Sequence, residues 1–273
     1  MKHIFFSLGY RCSSAGILKY LNIKQESYPF DWLISRLPII KDCIETDFQH
    51  FLKKENYKQN ETQTIHYNKK DELKKIFICN ESIIYNTYYQ KKFNNEEFYI
   101  PAPLKLPLDT YAHYLALNHR NILNDDDYDY FKRCIERFHI MIQNPCPKKY
   151  LYIHPVISIE EYEKNKGNII QQFIDFHHFI SSIQITSLMK GLFIIIVRTH
   201  YDNPITNYLS NILEKINTEQ ENLHIYILYT HSEFIDAGEI FMQNNYELET
   251  STLINLVKSF ASSPVGSETT FHE

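Results

Sequence analysis

The residues best suited to chemistry fall where strands should end. The apolar run His3–Leu8 stops at Gly9, and Cys12 follows with Ser13 and Ser14 as capping side chains, so the pattern predicts a thiol at a helix start. A thiol there meets the positive end of the helix and its unpaired amides, which lower its pKa and favour the thiolate; Arg11 adjoins it. A nucleophilic cysteine then needs an imidazole, held by a third polar group. Further along, His154, the run Arg198-Thr199-His200 and His231 each close an apolar segment. In open α/β sheets the ligand crevice lies beyond the carboxyl ends of the strands, so these side chains and Cys12 would share one edge. Two readings stay open: a reactive rim, including a three-histidine metal site, or ordinary half-buried histidines and a cysteine that only fills a strand–helix corner.

Composition removes several classes. The 273-residue chain is 44% hydrophobic and 22% charged, which suits a globular fold. Its net charge of -5 lacks the basic field a nucleic-acid binder needs, so no nucleic-acid partner is expected. The 6 glycines stand singly, and no P-loop or dinucleotide fingerprint can be written with them. The 5 cysteines are widely spaced with no CxxC pair, against a disulfide framework or a cysteine zinc site. No apolar run approaches the roughly 20 residues of a membrane span, and the opening apolar run is too short for a signal peptide. The expectation is a soluble, cytoplasmic protein without a bound cofactor.

The elements that must position these residues read as follows. A strand over His3–Leu8, a helix to about Leu21 and a helix from Leu37 to Leu52 open the chain. Lys53 to Lys75 is polar and is expected as a loop, followed by short strands at Ile76–Cys79, Ile83–Tyr85 and Phe98–Ile100. Phe131, Ile135, Phe138 and Ile142 recur at helical spacing behind three aspartates, predicting a helix over Asp125–Gln143. Strands at Lys149–His154, Leu192–His200 and Leu223–His231 then alternate with helices at Ile159–Ile183, Ile205–Ile216 and Thr250–Phe260. This is an α/β pattern: a mainly parallel sheet with helices on both faces, Rossmann-like in its C-terminal half, with a helical, loop-rich N-terminal half. Residues 1–261 are expected to form one domain, with a sub-boundary near 101–107 at Pro101, Pro103 and Pro107, and 262–273 a loose tail.

Ser7-Leu8-Gly9-Tyr10-Arg11-Cys12-Ser13-Ser14-Ala15, followed by Tyr28-Pro29-Phe30-Asp31-Trp32-Leu33, resembles a domain family of unknown function that carries a papain-like cysteine peptidase label. Its members share an SLGxxCxxA opening and a PFDW box. A weaker likeness runs through Asn118-His119-Arg120 and Tyr130 to Phe138, similar to the family's histidine and a following helix with two arginines. The resemblance implies Cys12 as nucleophile and His119 as base, with Asp31 as the third group, an orienter or a substrate contact. His113 is a rival to His119. Arg133 and Arg137, four apart, share a helix face and could bind an anionic group or make salt bridges with Asp129 or Glu136.

Three functions are weighed. The first is a cysteine hydrolase acting on a peptide or small molecule, with His154, Arg198, His200 and His231 joining Arg133 and Arg137 at the substrate. The second is a glycosyltransferase in which Asp125-Asp126-Asp127-Tyr128-Asp129 holds a divalent metal against a sugar nucleotide; the same aspartates also suit a plain acidic helix start. The third is a non-catalytic small-anion-binding protein.

Overall fold

A computed structural model describes residues 3–10, 12–68, 75–93, 115–117, 119–183, 188–198, 213–216, 222–230 and 247–263. The central sheet has the strand order β1-β6-β7-β9-β8. Here β1 is Ile4–Ser7, β6 Lys148–Ser158, β7 Met189–Arg198, β8 Leu213–Ile216 and β9 Leu223–Thr230. The first four run parallel and β8 is antiparallel to β9. The expected α/β class and mainly parallel sheet are therefore present.

Alternating residues split the sheet's two faces. Leu151, Ile153, Leu192, Ile194 and Ile196 point to one side, where Ile17 and Leu18 of α1 (Ser13–Tyr20) and Leu253 and Val257 of the helix Glu247–Ser262 cover them. Tyr150, Tyr152, Phe193 and Ile195 point to the other side, against Phe173, Phe176 and Ile180 of the helix Ile159–Ser182. That helix starts at a full capping box, Ser158 with Glu161, which satisfies two of its orphan amides. Phe138 of the helix Asp125–Gln143 knits this second layer, its ring 6.2 Å from Phe6, 6.1 Å from Phe30 and 5.8 Å from Phe48.

A second, antiparallel sheet has the order β2-β5-β4-β3, where β2 is Leu33–Ile34, β3 Tyr57–Asn68, β4 Lys75–Asn86 and β5 Ala116–Leu117. It corrects the sequence reading in two places. Most of the polar stretch expected as a loop is β3, paired with β4 from Tyr57↔Asn86 to Asn68↔Lys75. As the edge of the sheet, β3 needs no apolar run, so its polarity hid it. The two short strands foreseen at 76–79 and 83–85 are one strand, β4.

Along the chain, among the strands of this second sheet, come α2 (Leu37–Glu45), α3 (Gln49–Leu52) and α4 (Thr87–Phe93). The single helix foreseen over 37–52 is broken because Asp47 and Phe48 adopt left-handed backbone, with φ of 51° and 57°. That turn drives Phe48 into the core. The remaining helices are numbered α5 (Asp125–Gln143), α6 (Ile159–Ser182) and α7 (Glu247–Ser262). Residues 213–216, expected to end a helix, form β8 because they hydrogen-bond along β9. The rest of that stretch, the strand at 98–100 and the residues 101–107 lie outside the described residues.

One close approach fixes the middle of the central sheet. The Tyr150 ring lies across Gly191, its cross-strand partner, where a Cβ would collide with the phenol. The Tyr150 hydroxyl reaches Nδ1 of buried His177 on α6 at 2.7 Å. Burial pushes His177 down to about 4 from 6.5, so the folded chain holds it neutral at pH 7. Between those two values the unfolded chain binds the extra proton, so stability falls as pH drops through the window. We expect roughly 2–3 kcal/mol to be lost between pH 7 and 4 through this group. In urea unfolding at both pH values, His177→Asn should show a smaller acid loss than the parent; an equal loss would contradict the assignment.

Candidate functional site

The turn between β1 and α1 carries the candidate nucleophile, Cys12. Cys12 is the N-cap residue of α1, half-buried, with no side-chain capping hydrogen bond from its sulfur. Its carbonyl accepts from Gly16 N at 2.8 Å, which begins the helix ladder. The turn is fixed on both flanks. Tyr10 O accepts from Ser35 N at 3.0 Å, and Ser14 Oγ accepts from Ile153 N, on β6, at 3.0 Å.

Asp31 sits beneath this turn with no exposed surface. Its carboxylate accepts from the Ser7 hydroxyl, from Tyr28 N at 2.7 Å and from the Lys24 ammonium. Burial pushes the Asp31 carboxyl up, and the Lys24 charge and these hydrogen bonds hold it back. Its described partners tie the PFDW loop to β1. The imidazole of His119 is not among them.

His119 comes just after β5, whose Leu117 pairs with Leu33 of β2. It is exposed, and its ring meets Trp32 edge-on at 6.2 Å. The segment 31–36 is therefore shared. Cys12 reaches it through Tyr10 and Ser35, and His119 reaches it through Trp32.

His154 lies on β6 one residue beyond the amide held by Ser14, and is 7% exposed. Rings of Tyr10, Tyr152 and Phe173 surround it at 6.4, 6.5 and 6.0 Å. The register of β6 on β7 shifts just after it, between His154 and Ile157, and pairing resumes at Ile157↔Val197 and Ser158↔Arg198. Arg36 was not foreseen. It is buried at the start of α2, and its charge opposes the strong burial-driven rise at Tyr152. Only its place four residues past the end of the PFDW box could have singled it out.

The other expected site residues are less concentrated. Arg133 is exposed on α5, while half-buried Arg137 acts electrostatically on Tyr28 and Cys134. Arg198 ends β7, and only its backbone is described; Arg11, His113, His200 and His231 lie outside the described residues. Asp125 takes a hydrogen bond from Lys54 at 2.7 Å and Asp127 one from Arg120 at 2.6 Å, as in an ordinary acidic helix start. Among the described residues no three His, Cys, Asp or Glu side chains converge as metal ligands. Also among them, no helix is long and apolar enough to cross a membrane.

The fold is that of an α/β protein with a half-buried thiol at the N-cap position of a helix beside the parallel sheet and an imidazole just past a strand of the antiparallel one. A family model described as "Putative papain-like cysteine peptidase" covers residues 3–179, and the chain belongs to that family. The matched stretch runs from β1 almost to the end of α6 and includes Cys12, Asp31, His119 and His154. No curated protein and no solved structure matches the chain.

The structural duty of Asp31 is testable. Asp31→Ala leaves the Lys24 ammonium, 7% exposed, without its carboxylate, and should cost about 3–5 kcal/mol in chemical denaturation. A loss below about 1 kcal/mol would show that the loop is held by other means.

Proposed function

We propose that the chain is a cysteine hydrolase acting on peptide-like acyl substrates, with Cys12 as nucleophile and His119 as its proton relay. The thiolate attacks the carbonyl carbon, and the oxyanion develops towards the α1 amides that precede Gly16, the first N–H engaged in the ladder. A thioester forms as the C–N bond breaks, and the imidazolium gives its proton to the leaving amine. The imidazole then takes a proton from water, which attacks the thioester and returns the thiol. Asp31 acts as a positioning residue, holding the loop that carries Trp32 against His119. His154 and Arg36, buried next to the Cys12 turn, suit the seat of a carboxylate or carbonyl group of the substrate.

The observation that carries this reading is the place of Cys12: a half-buried thiol at the N-terminus of α1, where the helix favours the anion. Cys43 and Cys134 are the opposite case, buried thiols pushed up by desolvation. Iodoacetamide at pH 7, read by peptide mass spectrometry, should label Cys12 at least about ten times faster than Cys43 or Cys134. Cys12→Ala should also abolish release of amine from a peptide library that the parent cleaves, while His119→Ala lowers kcat and removes one limb of its pH profile. Labelling of Cys12 at the rate of the two buried thiols would end the proposal.

A further inference from the structure

A pocket of about 300 Å³ lies where α2, α4 and α6 meet, of a size that suits a small ligand. We propose that it binds an organic monocation, a primary ammonium or guanidinium group carried on an apolar body.

The charges decide the ligand. The walls carry Asp42, Glu45 and Asp175 against Lys41 and Lys92, a surplus of one negative charge (three minus two). Both lysines are already engaged: Lys92 is bonded to Asp42 Oδ1, and Lys41 lies 3.7 Å from Glu45 Oε1. Among the described residues Asp175 takes one amide donor, Gln171 Nε2 at 2.8 Å on Oδ1. Asp42 is 4% exposed, and its Oδ2 has no hydrogen-bond partner among the described residues. A buried carboxylate oxygen left bare costs desolvation that a bound donor would recover. Leu37, Phe93 and Phe176 supply apolar wall for the hydrocarbon of such a ligand. An anion would meet the surplus negative charge, and a neutral apolar guest would leave Oδ2 bare.

The site does not depend on Cys12, and its test is separate. Isothermal titration of the full chain at pH 7 uses the monocations phenethylamine and 2-phenylethylguanidine and the neutral analogue 2-phenylethanol. At least one of the two cations should bind, with 2-phenylethanol at least about ten times weaker, as expected for a charge-assisted hydrogen bond to a buried carboxylate. Asp42→Asn should abolish cation binding. Because that change also strips Lys92 of its partner and threatens the fold, Asp175→Asn, on the exposed side of α6, gives a second reading and should weaken binding several-fold. Cys12→Ser should bind as the parent does. No heat with either cation, equal binding of the alcohol, or undiminished affinity in the folded Asp175→Asn chain would overturn the proposal.

Discussion

The buried carboxylate of Asp31 is the constraint on which the site depends. A carboxylate without exposed surface is tolerable only if its oxygens are satisfied, and the Ser7 hydroxyl, the Tyr28 amide and the Lys24 ammonium do this. Each bond joins a different part of the fold: the end of β1, the loop itself, and the chain just past α1. The loop therefore cannot slide along the sheet without uncovering a charge. Trp32 and Ser35 are placed by that restriction, and through them His119 and the Tyr10–Cys12 turn. Phe30 adds the apolar counterpart, its ring 5.6 Å from Phe48.

The order of the central strands creates a topological switch point. After β1 the chain turns to the face covered by α1 and α7, whereas after β6, its neighbour, it turns to the face covered by α6. Adjacent parallel strands whose following helices go to opposite faces leave a gap at their carboxyl ends. Cys12 follows β1 at that switch point, and His154 is carried by a β6 that continues past the end of β1.

What could be read from the sequence follows from how each element is buried. α5 and α6 carry apolar residues at helical spacing because one face of each is covered, and both were foreseen closely. The parallel strands, buried on both faces, gave apolar runs in Tyr150–Ile153, Leu192–Val197 and Ile225–Leu228. β3 escaped because an edge strand is under no such demand. Residues 213–216 escaped because Leu-Glu-Lys-Ile suits a helix and a strand equally, and only pairing with β9 decides. Within the site, Cys12, Asp31 and His119 stood out through their motifs. The partners of Asp31 did not, since nothing local in Lys24 or Ser7 shows a bond formed across the fold. Arg36 and the unfilled oxygen of Asp42 are visible only once helices have packed around them.

The two edges of the central sheet are sorted by one electrostatic rule. Parallel strands joined by helices place helix C-termini at the amino edge and helix N-termini at the carboxyl edge. At the amino edge, Lys148 Nζ donates to Asn144 O at 2.6 Å just past α5, and Lys149 Nζ donates to Phe260 O and Ala261 O at 2.7 and 2.9 Å at the end of α7. Burial and the Lys190 charge in register beside it push Lys149 down to about 8, yet at neutral pH it still carries the proton that those carbonyls accept. At the carboxyl edge the sign is reversed, and the group that benefits from unpaired amides is an anion. Cys12 occupies that position on α1. The polarity that buries lysines at one end of the sheet therefore favours a thiolate at the other, because both follow from running β1, β6, β7 and β9 in the same direction.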